Sequence, residues 1–128
     1  MMNSKLLLLL TAAAVASLAS CAEMETHDSI SLLSAAGFRA RAPKTAEQRQ
    51  IYSSLPNNKI ERATVNGKAF YVFKDEKAGV AYVGREQEHQ RYEQLCLQQH
   101  AAPKPEEQMT KAQASKYYKY WGVGATLF

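Results

Sequence analysis

The chain has 128 residues, 16 Lys and Arg against 12 Asp and Glu, a formal net charge of +4 and 46% hydrophobic residues. That length supports one small folded domain rather than two. Its basic residues are interleaved with acidic ones, which argues against a nucleic-acid-binding face and for a mixed, solvated surface.

The N-terminus reads as an export signal. Lys5 supplies the positive charge, Leu6 to Leu10 and Thr11 to Ala16 the apolar run, and Ala19-Ser20 the small residues before a cut. The run is shorter than the ~20 residues a membrane-spanning helix requires. Leu18-Ala19-Ser20-Cys21 resembles the lipobox of bacterial lipoproteins. That resemblance implies cleavage before Cys21, a diacylglycerol on its sulfur and an acyl chain, such as palmitate, on the new amine. No other cofactor is expected. Two or more acyl chains anchor a protein stably, where one gives only reversible binding. Ala22 stands where an Asp would retain a Gram-negative lipoprotein at the inner membrane, so the expected address is the periplasmic face of the outer membrane.

Loss of residues 1–20 from 128 leaves 108, and loss of Lys5 leaves 15 Lys and Arg against 12 acids, a net of +3. A lipidated Cys21 leaves Cys96 without an intrachain partner, and its place between Leu95 and Leu97 predicts a buried thiol.

Residues 21–27 read as a tether. Asp28 suits the N-cap of a short helix over Ser29 to Ala36, stopped by Gly37. Gly37 at C′ would let Phe38 fold back on Leu33 as a structural plug. The polar stretch from Arg39 to Lys44, containing Pro43, reads as a loop. Thr45 and Gln48 form a capping box, followed by a helix with an Ile51, Tyr52 and Leu55 face, ended by Pro56.

Asn66-Gly67 between Ile60–Val65 and Lys68–Phe73 predicts a two-residue β-hairpin, since a type I′ turn needs positive φ at both positions. Phe70 and Val72 point one way and Tyr71 and Phe73 the other, which marks a central strand covered on both sides. Val80 to Val83 makes a third strand, and Glu86 to Gln98 a helix with a seam at Tyr92, Leu95 and Cys96. The expected fold is a small α+β domain over residues 28–98, α-α-β-β-β-α, with a three-stranded antiparallel sheet and helices on one face.

From Gln99 the composition changes. Pro103 and Pro105 stiffen a linker over residues 99–115, its second half weakly helical, and residues 116–128 form an aromatic tail. Tyr117, Tyr118, Tyr120, Trp121 and Phe128 concentrate amphipathic rings in a terminal segment, a pattern suited to a partner or a lipid interface.

Several short motifs carry a resemblance: Ala35-Ala36-Gly37-Phe38, Thr45, Ser54-Leu55-Pro56, Asn66-Gly67-Lys68, Tyr71-Val72, Tyr82-Val83-Gly84 and Tyr92. Together they are similar to short proteobacterial outer-membrane lipoproteins of unknown function. Those relatives often carry aspartate and cysteine before the third strand, where this chain has Asp75 and then Lys77-Ala78-Gly79. The resemblance implies the lipid-anchored address and the domain boundary, and no activity.

Catalytic patterns are sparse. His89, Cys96 and His100 are candidate metal ligands, but structural zinc wants four ligands in tight pairs, and His89 reads better as a solvated helix residue. No serine sits in a nucleophile elbow, and no phosphate-binding loop is present. Asp75, Glu76, Glu86 and Glu88 lie at element ends, where acids serve turns and helix N-termini. Tyr71, Phe73 and Tyr82 read as cross-strand packing rather than a binding face.

The expected role is non-catalytic: a lipid-anchored envelope protein that engages a protein partner through its tail. The alternative is a peptidoglycan- or lipid-binding module using Arg39, Arg41 and Lys44. An inhibitor of an envelope-degrading hydrolase ranks below both, because a net-positive domain is disfavoured by a cationic enzyme.

Overall fold

A computed structural model of the chain describes residues 30–121. Cys21, the lipobox residues Leu18, Ala19 and Ser20, the N-cap Asp28 and the terminal Phe128 lie outside the described residues. The chain divides into two compact units, Met1–Ser31 and Leu32–Phe128. The architecture below is that of the second.

Residues 32–35 of that unit are helical (α1). Gly37 N–H donates to Ser34 O and Phe38 N–H to Leu33 O, the two bonds of a Schellman motif. Phe38 is buried as expected, and its ring packs beneath Gly84, where an added Cβ would come within 2.9 Å of it.

The elements that follow are β1 (Arg39–Arg41), α2 (Ala46–Ser54), β2 (Ile60–Val65), β3 (Lys68–Asp75), β4 (Val80–Arg85), α3 (Glu86–Gln98), β5 (Glu106–Gln108) and α4 (Lys111–Trp121). The Thr45–Gln48 capping box starts α2. Asn66 and Gly67 both take positive φ, 53° and 75°, and close the hairpin with Val65 opposite Lys68. Ala101 N–H donates to Cys96 O around His100 at φ 53°, so a non-glycine residue caps α3 in the left-handed region.

The sheet is five-stranded and mixed, in the order β1-β4-β3-β2-β5, and corrects the expected three-stranded antiparallel one. Both additions are three-residue edge strands. The segment Arg39–Arg41, read as a loop, pairs antiparallel with β4. Glu106–Gln108, read as linker, lies parallel to β2, framed by Ile60 N–H to Pro105 O and Met109 N–H to Arg62 O. Neither has an apolar alternation, because backbone bonds to a preformed neighbour hold it.

Helices cover both faces, as the two-sided apolar pattern of β3 requires and not one face only. On one face α2 and α4 pack over Ala63, Phe70, Val72, Ala81 and Val83. On the other, α3 lays His89 flat on Tyr71, ring centroids 3.9 Å apart, and Tyr92 edge-on to Phe38. The end of α1 lies beside α3, where Arg91 donates to Ala36 O. Central β3 accordingly buries Phe70, Tyr71, Val72 and Phe73 together.

Residues 99–121 are thus part of the fold rather than a linker and a free tail. Met109, Ala114, Tyr117 and Trp121 belong to the core cluster. Tyr117 stacks on Trp121 at 5.2 Å and meets Phe70 at 5.7 Å. Such ring pairs add about 0.5–1.5 kcal/mol each beyond area burial. Among the described residues, no helix is long and apolar enough to cross a membrane.

Candidate functional site

The aromatic residues expected to bind a partner separate in space. Tyr117 and Trp121 are buried in the core, so neither offers an exposed ring. Tyr118 is half-buried against the same cluster, and Tyr120 is 37% exposed. Their spacing is the reason: residues 117 and 121 share one helical face towards the sheet, and Tyr120 falls on the flank.

That flank borders a groove between α2 and α4. Two adjoining cavities of about 380 and 580 Å³ share Ile51, Ser54, Gln113 and Lys116. Leu55, Pro56, Met109 and Tyr117 extend the apolar lining at the β5 end, and Glu47, Gln50 and Tyr120 border the other. The two helices are tied by Gln48, whose side-chain amide donates to Tyr120 O at 2.8 Å.

Glu61 and Glu107 line the floor and are register neighbours on β2 and β5. Glu61 is only 6% exposed, yet no hydrogen bond or ion pair reaches its carboxylate from the described residues. Burial pushes its pKa up, Glu107 adds to the rise and Lys59 opposes it. Glu107 sits 3.7 Å from Lys59, both half-exposed. The hydroxyl of Tyr117 and the indole N–H of Trp121 are buried without a hydrogen-bond partner among the described residues. Unsatisfied buried polar groups are uncommon in folded proteins.

Glu61 was not singled out by its sequence, although a signal exists. In Ile60–Val65 it shares its phase with Ala63 and Val65, so strand alternation turns a carboxylate towards the core.

The α3 side of the sheet differs. Tyr71 donates to Glu86 at 2.6 Å, and burial with that carboxylate raises its pKa to about 12. Arg85 grips Glu88 through two nitrogens. Burial acts to raise Glu88, but the Arg85 hydrogen bonds and charge outweigh it and hold the carboxyl below the usual glutamate value. Tyr92 accepts from Lys104 N–H, and burial pushes its hydroxyl to about 12.

His89 is buried rather than solvated, with Nδ1 3.1 Å from Glu93 and Nε2 2.5 Å from Glu106. These three residues bring ligand-type atoms within 4.8 Å of one another, whereas the metal candidates Cys96 and His100 are not in that group. The cluster's groups already serve each other, clasping β5 to α3. Cys96 is a buried free thiol, its pKa raised by burial.

Of the other candidate residues, Asp75 shapes the β3–β4 turn by accepting from Ala78 N–H. Phe73 and Tyr82 are cross-strand neighbours. Arg39 and Arg41 lie on β1, and Lys44 O accepts from Arg49.

Comparison with protein-family models, curated proteins and solved structures gave no match.

Proposed function

We propose that this chain is a lipid-anchored envelope protein, held by acyl chains on Cys21, that acts without catalysis by binding a protein partner in the α2/α4 groove. The outer-membrane address and the kinship with short proteobacterial lipoproteins belong to the same proposal. The observation that carries it is the pair of adjoining cavities, where Ile51, Pro56 and Tyr120 stay partly exposed between two helices already fastened to the sheet. A pre-formed apolar cleft with a few convergent polar groups is the usual form of a binding site. The partner role expected of the aromatic segment is thereby relocated: its helix walls the groove, with Tyr117 and Tyr120 in the lining.

The test is a photo-crosslinking residue at Gln113 in the lipidated protein in living cells, with and without Ser54→Trp to fill the groove. One partner at near-equal amount, lost in the filled variant while its melting temperature is retained, is the expected result. Undiminished crosslinking of that partner to the filled variant would overturn the reading. Cys21→Ser should release the protein from the membrane fraction.

A second reading, a module for an anionic wall or lipid component, draws on a cavity of about 440 Å³ lined by Arg62, Lys68 and Arg85. Arg85 is already committed to Glu88 and Glu86 borders the same cavity, so it ranks second.

A further inference from the structure

We propose that the α2/α4 groove recognises a cationic side chain, lysine or arginine, presented by its partner: the charge seats against Glu61 and the aliphatic stem lies on Ile51, Leu55 and Met109. The inference rests on the groove being the partner site and names the chemistry it selects.

Three observations carry it. Glu61 is 94% buried by its 6% exposure, has no partner among the described residues and lines the cavity. A carboxylate in that position carries a desolvation penalty that an incoming positive charge removes. Next, the groove is acidic: Glu47, Glu61 and Glu107 line it against Lys116. Lys59 lies 3.7 Å from Glu107 and its charge also acts on Glu61, so a single half-exposed lysine is shared between two carboxylates. Lastly, the lining beside Glu61 is aliphatic, which suits the methylene stem of a long cationic side chain.

Competing occupants fit less well. An anion would meet carboxylates, and a neutral apolar segment would seal Glu61 away from water without a counter-charge. A hard divalent cation wants six or more oxygen ligands, and the floor supplies two carboxylates.

The experiment is an NMR titration of the full chain in detergent micelles with two capped tripeptides, acetyl-Ala-Lys-Ala-amide and its norleucine counterpart. The lysine peptide should shift amides of Glu61, Met109 and Gln113 at millimolar concentration, and the norleucine peptide should bind about tenfold more weakly or not at all. Glu61→Gln should reduce lysine-peptide affinity by about tenfold, the loss of a charge-assisted contact. Equal binding of both peptides to the natural chain overturns the inference without any variant. If Ser54→Trp breaks the crosslinked complex while the lysine peptide produces no shifts, the groove remains the partner site and the cationic occupant is wrong. If the lysine peptide binds but Ser54→Trp leaves the complex intact, the partner-site reading fails instead.

Discussion

The two faces of the sheet handle buried polarity in opposite ways. Under α3 polar side chains pair with one another or with backbone: Tyr71 with Glu86, Arg85 with Glu88, His89 with Glu93 and Glu106, and Tyr92 with Lys104 N–H. Under α2 and α4, the Tyr117 hydroxyl and the Trp121 indole N–H have no hydrogen-bond partner among the described residues, and buried Glu61 has only the charge of Lys59 acting against it. A fully satisfied network rigidifies a core, and an unsatisfied one costs stability unless something else is being served. The difference teaches that the α3 side satisfies its polar groups within the fold, whereas the α2/α4 side leaves some of them unmet. The groove is found on that second side.

The largest effect should come from Trp121→Ala, which removes a core ring and should cost about 3–5 kcal/mol in denaturant unfolding. Tyr120→Ala, on the exposed flank, should stay within about 0.5 kcal/mol. Equal costs would break the claim that one aromatic helix serves core and groove with different faces. Next, Tyr71→Phe strips a hydrogen bond to a charged acceptor and should cost about 1.5–3 kcal/mol. Tyr117→Phe removes an unpartnered hydroxyl and should be neutral or stabilise by up to about 1 kcal/mol. A destabilising Tyr117→Phe would show that this hydroxyl is served after all, and would erase the contrast.

The pH dependence sharpens the same comparison. A raised folded-state pKa at Glu61 means that the folded chain holds this proton more tightly than the unfolded one. Its stabilising contribution is complete below the ordinary value of 4.5 and is lost as pH rises through the folded value. Glu88 is the reverse, contributing above 4.5 and losing its contribution as pH falls. Melting curves across pH should therefore show Glu61→Gln gaining on the natural chain as pH rises, and Glu88→Gln losing to it. Parallel curves would contradict both assignments. A small effect is expected of His100→Gly, which relieves a left-handed residue at the α3 cap and should stabilise by about 0.5–1 kcal/mol.

What the sequence by itself determined is everything whose cause lies within a few residues. The Thr45–Gln48 capping box, the Gly37 helix stop with Phe38 folded back, the Asn66-Gly67 hairpin and a central strand apolar on both faces are all local patterns, and each is present. The burial of Cys96 follows from its place four residues after Tyr92 on the inward face of α3, while adjacent Leu97 is exposed. Tertiary structure alone decided the edges and the site. Arg39–Arg41 and Glu106–Gln108 carry no strand signal of their own and become strands because β4 and β2 offer free backbone groups. The helix at 111–121 turns Tyr117 and Trp121 inward because the sheet face over Phe70 and Val72 needs a cover, and packing against it outweighs weak local propensity. Glu61 enters the groove only once β5 brings Glu107 beside it and α4 closes over both. These contacts join residues dozens of positions apart, where backbone pairing and burial decide the outcome and local side-chain pattern has no means of announcing it.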